Sequence, residues 1–120
     1  MAWPMNVEKF AAAIAVAEGS DPSWNNPGDL TGIDAGSFQV LGKANSEGVW
    51  KFANLADGWQ ALYLKIYRIF SGRSVVYPLS MTLEEMGMKY SGGNPNWAIN
   101  VAKEIGVPVS ITLADLSKMD

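Results

Sequence analysis

Glu18 ends an apolar, alanine-rich run, AAAIAVAEG (residues 11–19), and Asn25-Asn26-Pro27-Gly28-Asp29 follows a short loop later. The chain contains neither His nor Cys. Acid–base chemistry near neutral pH therefore falls to Glu, Asp, Lys or Tyr. The same absence excludes a thiol or Ser–His nucleophile, a zinc site of the usual Cys/His type and a disulfide framework. Val7, Ala11, Ile14 and Glu18 fall at i, i+4, i+7 and i+11, one stripe of a helix, so the carboxyl faces the interior or a cleft wall. It also sits in the last helical turn, at the negative end of the helix dipole. Desolvation and the dipole both disfavour the charged form. A carboxyl that keeps its proton near neutral pH is what a general acid requires. The alternative is a frayed helix end with Glu18 in water.

The elements that must position this carboxyl follow from periodicity and punctuation. A first helix is predicted over 7–18, with Asn6 as N-cap and Gly19 as the stop. Residues 20–28 form a loop with two prolines and a Pro-Gly turn. Between residues 29 and 55 glycines recur among short runs such as SFQV and VWKF, which predicts a small hairpin or irregular sheet. Helical spacing returns at Asp57, with Trp59, Leu62, Tyr63, Ile66 and Phe70 on one face and Gly72 closing the helix. Thr82 and Glu85 have capping-box spacing and open a helix with Leu83, Met86 and Tyr90 on a face. Asn94-Pro95 opens another, carrying Trp97, Val101 and Ile105 and stopping at Gly106, and Thr112 caps a last one through Leu116. The expected architecture is a single α+β domain over residues 1–120, mainly helical, with a small β-lobe at about 29–55.

Totals narrow the function. Apolar residues at 48% and charged residues at 18% describe a folding chain rather than a disordered one. The net charge of −3 supplies no basic patch for nucleic acid or an anionic membrane. Lys65, Arg68 and Arg73 are read as a solvated helix face. No run reads as a signal peptide, and no apolar stretch is long enough to span a bilayer. No metal or cofactor is expected, and the chain is expected to be a monomer.

The ordered set of Ala13 to Gly19, Asn25 to Leu30, Phe52 with Gly58-Trp59-Gln60-Ala61-Leu62, Lys89-Tyr90, Asn94-Pro95-Asn96-Trp97 and Val101-Ala102 through Gly106-Val107 resembles the lysozyme-like superfamily. Within it the likeness is to small phage and bacterial peptidoglycan-degrading domains related to soluble lytic transglycosylases and goose-type lysozymes. It covers about residues 8 to 116, nearly the whole chain. The resemblance implies a lysozyme-like fold, with a helical lobe and a small β-hairpin lobe flanking a groove. It also implies that Glu18 protonates the glycosidic oxygen between N-acetylmuramic acid and N-acetylglucosamine. Tyr90 would line the groove, or else belong to the core face of Leu83 and Met86.

A second carboxylate is needed for classical hydrolysis, about 5–5.5 Å away for retention and about 6.5–9.5 Å for inversion. Asp29 and Asp34 are the candidates, each with a plainer role as a turn residue; Glu47 and Asp57 are weaker. Lytic transglycosylases manage with one acid/base and a hydroxyl of the sugar. Asn25, Asn26, Trp24, Tyr90 and Gln39 are the candidate substrate contacts. Trp24 either faces the sugar or covers Glu18, whereas Trp59 and Trp97, on helix stripes, are expected in the core. The expected partner is a peptidoglycan glycan strand. A non-catalytic carbohydrate-binding or virion structural module on the same fold is the competing expectation, as the acidic net charge gives no steering toward an anionic polymer.

Overall fold

Helix α1 (Met5–Glu18) starts two residues before the stretch that the periodicity marks. Pro4 precedes it in extended conformation and offers no side-chain bond, so Asn6 is not the N-cap. Asn6 lies inside the first turn, where its amide donates to the Ser117 carbonyl at 2.7 Å and ties the helix to the C-terminal end of the chain. The other end is as expected: Gly19 adopts φ 54°, ψ 39°, and its N–H donates to the Ala15 carbonyl. Val7, Ala11 and Ile14 are buried, and the same stripe brings Glu18 to the edge of the core, partly buried. The computed structural model describes residues 3–119.

Helix α2 (Leu55–Phe70) begins at Leu55 rather than Asp57 because the Asn54 side chain accepts from the Asp57 N–H at 2.9 Å. Helix α3 (Leu83–Tyr90) opens with the expected capping box: Thr82 Oγ1 accepts from the Glu85 N–H and Glu85 Oε1 accepts from the Thr82 N–H. Ahead of α4 (Asn96–Ile105), Pro95 is already helical at φ −66°, ψ −20°, and Asn94 Oδ1 accepts from the Asn96 N–H. Gly106 at φ 84° stops α4, and Thr112 caps α5 (Leu113–Ser117). The described residues thus hold five α-helices, about half of the chain, and none is long and apolar enough to cross a membrane.

The β region is smaller than its glycine pattern suggests. Strands β1 (Val40–Lys43) and β2 (Trp50–Phe52) pair antiparallel, Val40 opposite Phe52 and Lys43 opposite Trp50, with an irregularity between Val40 and Gly42. The SFQV run does not form a strand before Val40. A 3-10 turn over Gly32–Ala35 ends in Gly36 at φ 57°, and the Phe38 N–H donates back to the Ala35 carbonyl, so the turn consumes those residues. The result is an α+β fold whose core lies among α1, α2, α3 and α4, around Phe10, Ile14, Leu62, Ile66, Met86 and Val101.

Two glycines allow approaches that any side chain would prevent. A Cβ on Gly58, in the first turn of α2, would stand 1.8 Å from the Asn25 carbonyl oxygen. A Cβ on Gly87, in α3, would stand 2.8 Å from the Ala98 Cβ and 3.0 Å from the Trp97 ring. In an open helix Gly→Ala stabilises by about 0.5–1 kcal/mol. At position 58 the obstacle is backbone and cannot rotate away, so Gly58→Ala is expected to destabilise by about 2–4 kcal/mol in urea unfolding. A midpoint at or above that of the wild type would contradict this packing.

Candidate active site

The turn after α1 is built from residues that tolerate unusual backbone. Asn25 has φ 54° and Asp29 φ 49°, left-handed conformations that Asn and Asp adopt more readily than other side chains. Between them Asn26 is buried, with 2% of its surface exposed. Its amide donates to the Leu30 carbonyl at 3.1 Å and the Trp50 carbonyl at 2.8 Å, and its Oδ1 accepts from the Leu30 N–H at 2.9 Å. A buried amide with all these partners is a structural pin between turn and sheet. Asn26 is therefore not a substrate contact. Asn25 is also occupied, donating from Nδ2 to the Phe52 carbonyl at 3.2 Å.

This turn delivers Asp29 to Glu18. Asp29 stands beside Glu18 and acts on its carboxyl, and Asp29 Oδ1 is a buried oxygen with no hydrogen-bond partner among the described residues. Glu18 also accepts from the Trp97 indole: Nε1–H reaches Oε1 at 2.9 Å. The Glu18 pKa is pushed up to about 8, first by burial, then by the hydrogen bond and the negative charge of Asp29, against a smaller lowering by the Trp97 N–H. An N–H donor on Oε1 favours the proton on Oε2. Glu18 is thus an oriented, protonated carboxyl at neutral pH, and no cation among the described residues pairs with it.

Tyr90 belongs to the same assembly. Its ring stacks on Trp97 with centroids 4.9 Å apart, and its hydroxyl donates to the Gly28 carbonyl at 2.6 Å. Gly28 packs closely there: a Cβ would meet the end of the Leu62 side chain at 2.7 Å and the Tyr90 hydroxyl at 3.2 Å. Burial, with the nearby charge of Glu18, holds the Tyr90 hydroxyl well above the ordinary tyrosine range, so it is a fixed hydrogen-bond donor. Tyr77 packs on Tyr90 at 6.2 Å, and burial pushes its pKa to about 12. The Lys65 ammonium lies 5.4 Å from the Tyr77 ring centre and 5.3 Å from that of Tyr90, and forms an ion pair with Asp34. Lys65 is therefore not on a solvated face; its side chain is 16% exposed.

The structure brings Glu18, Asp29 and Tyr90 together and ties Asp34 to them through Lys65. Trp24, half-buried in a 3-10 turn (Pro22–Trp24), has no hydrogen bond or ring contact with Glu18 among the described residues; Trp97 holds that place. Gln39 is exposed and joins the sheet only through its carbonyl, which accepts from the Ala53 N–H at 3.1 Å. Trp97 is the residue that sequence reasoning left in the core. Its helix stripe is indeed buried, but a buried indole N–H needs an acceptor, and Glu18 is that acceptor. Lys65 and Tyr77 carried no signal of their own. Among the described residues no group of carboxylates is arranged to hold a metal ion.

Comparison with protein families, with characterised proteins and with solved structures finds no match to this chain.

The raised pKa has a consequence for stability. The folded state keeps a proton on Glu18 that the unfolded chain releases near 4.5, so wild-type stability is full below about 4.5, falls as pH rises to about 8, and then levels. Gln at this position does not titrate. The melting temperature of Glu18→Gln relative to wild type is therefore expected to rise from pH 4 to pH 9, with the change confined to that window. A pH-independent difference in thermal melts would place Glu18 in ordinary solvent.

Proposed function

We propose that the protein cleaves the β-1,4 bond between N-acetylmuramic acid and N-acetylglucosamine in peptidoglycan, with Glu18 as general acid and then general base on a lysozyme-like fold. The observation that carries this reading is the Glu18 carboxyl itself: oriented by Trp97, set against Asp29 and still protonated at neutral pH. The order of a helix ending in that acid, an Asn-rich turn, a small sheet and further helices is consistent with the same reading.

Glu18 donates its proton to the glycosidic oxygen as the bond from C1 to that oxygen breaks, leaving an oxocarbenium-like sugar. The positions of the other carboxyls favour an internal nucleophile. Asp29 is set against Glu18 and raises its pKa, which makes it a partner of the acid rather than a second carboxylate across the scissile bond. Asp34 is engaged by Lys65. The muramyl C6 hydroxyl then attacks C1 and returns its proton to Glu18, which gives a 1,6-anhydro end and restores the acid. Asp29 acts on Glu18 rather than on the sugar: its negative charge keeps the proton in place until the leaving oxygen takes it.

Mass spectrometry of digested cell wall tests this reading. Products with 1,6-anhydromuramyl ends are expected, and Glu18→Gln should lower the rate by about 10²–10⁴-fold. Reducing ends would mean hydrolysis instead. Strands that bind without being shortened would make the domain a non-catalytic wall-binding module.

Activity should fall with rising pH as Glu18 loses its proton near 8. Asp29→Asn suits the left-handed backbone and removes a charge that raises the Glu18 pKa, so it should move this alkaline limb to lower pH. A limb that stays in place in the pH–rate profile would detach Asp29 from the acid.

A further inference from the structure

The largest cleft in the described structure, about 630 Å³, opens between the Gly32–Ala35 turn, helix α2 and residues 73–77. Glu18 is not in its wall. Lys65, Arg68 and Arg73 line it against one acid, Asp34, which makes the cleft cationic in a chain of net charge −3. Asp34 is engaged by Lys65. Arg68 and Arg73 are exposed, and neither has a carboxylate partner among the described residues. The Arg73 N–H donates to the Arg68 carbonyl at 2.9 Å, which folds the chain back and sets both residues at the far end of α2.

The rims are apolar and face water. Ile33, on the turn, is 92% exposed; Val75, on the segment opposite, is 95% exposed, and Val76 beside it is also exposed. From Ser74 to Val76 no backbone N–H or carbonyl pairs with another backbone group among the described residues. A small anion seated on the arginines would leave Ile33 and Val75 in water, whereas a segment of another macromolecule would cover both. A lipid surface has the wrong shape and sign, since the cleft is concave and anionic headgroups repel the protein as a whole. A second copy of the chain cannot present the same cleft, because arginine would face arginine. Any other contact between copies is head-to-tail and runs on into rings or filaments.

We infer that the cleft between the Gly32–Ala35 turn and helix α2 docks an extended acidic segment of another protein, with its carboxylates on Arg68 and Arg73 and its aliphatic side chains between Ile33 and Val75. Guanidinium forks match carboxylates, and exposed β-branched rims match aliphatic side chains. The open backbone groups of Val75 and Val76 can bond the backbone of such a segment. The length fits: from Ala61 to Arg68 the floor of the cleft follows α2 for about 10 Å at helical rise. Three extended residues of a peptide span about 10 Å. This role of the cleft is independent of whether Glu18 cleaves glycan.

The probe is the peptide acetyl-Asp-Leu-Glu-Val-Asp-Leu-amide, titrated into the protein at low salt and followed by NMR. Amide resonances of Ile33, Leu64, Val75 and Val76 should shift, and those of Glu18 and Asn26 should not. The double variant Arg68→Gln/Arg73→Gln should bind about tenfold more weakly, and Ile33→Ser/Val75→Ser about threefold more weakly. All four side chains are exposed, so both variants are expected to keep the fold, and circular dichroism checks this. Absence of shifts, or equal shifts with acetyl-Lys-Leu-Lys-Val-Lys-Leu-amide, overturns the inference. That comparison uses the wild type alone and decides the matter even where a variant misfolds. Shifts reproduced in full by inorganic phosphate would make the cleft a small-anion site, and tighter binding to phosphatidylglycerol vesicles than to the peptide would make it a membrane surface; either overturns the inference. In sedimentation velocity the wild type should stay one species as its concentration rises. Assembly that the arginine variant abolishes would assign the cleft to a second copy and overturn the choice of partner.

Discussion

The Asn25 carbonyl lies against the backbone of α2 at Gly58, a contact with no space for even a methyl group. The positions of the site residues follow from that approach. It seats the Asn25–Asp29 turn between α1 and α2, and the Asn26 amide then locks the turn to Leu30 and Trp50. With the turn in place, Gly28 meets the Tyr90 hydroxyl and Asp29 meets Glu18. A second close contact, Gly87 against Ala98 and Trp97, sets α3 on α4 and fixes the indole that holds Glu18. Glycine does the same job at 58 and 87: it removes a Cβ where a helix must touch a neighbouring backbone or ring.

The electrostatics divide the site in two. Glu18 has an acid and an indole as neighbours and no cation, so burial and the Asp29 charge both act to keep it neutral. Asp34 has Lys65, and the ammonium also faces the rings of Tyr77 and Tyr90. The aromatic row lies between the two carboxyls. Unlike surroundings of this kind are how one site keeps one acid ready to donate a proton while another serves only to hold a charge. Lys65 also lines a cleft between the Gly32–Ala35 turn and α2, so it borders solvent on one side and the rings of Tyr77 and Tyr90 on the other.

Much of the framework was legible because it depends on local chemistry. The Thr82–Glu85 box, Asn94-Pro95, Gly19, Gly106 and the cap at Thr112 work over three or four residues, and each behaves as its residue types dictate. The apolar stripe of α1 likewise placed Glu18 at the core's edge. Misreadings came where a local signal had two outlets. Asn6 looks like a cap, but Pro4 already starts the helix and the amide finds Ser117. SFQV alternates like a strand, but the 3-10 turn before it takes up its first residues. Asn26 looks like a polar group offered to a ligand, yet its partners lie as far away in sequence as Trp50.

The sequence by itself determined that an acid would end the first helix on its apolar stripe, that Asn-Asn-Pro-Gly-Asp would turn back after it, and that no His or Cys could share its work. Those statements need only helical periodicity, turn chemistry and composition. Only the tertiary structure decided which groups surround the acid. Trp97 is 79 residues from Glu18 in the chain, and Tyr90 is 62 residues from Gly28. No spacing rule reaches that far. Whether a carboxyl keeps its proton depends on what excludes water from it and on which charges stand beside it, and packing of distant helices sets both.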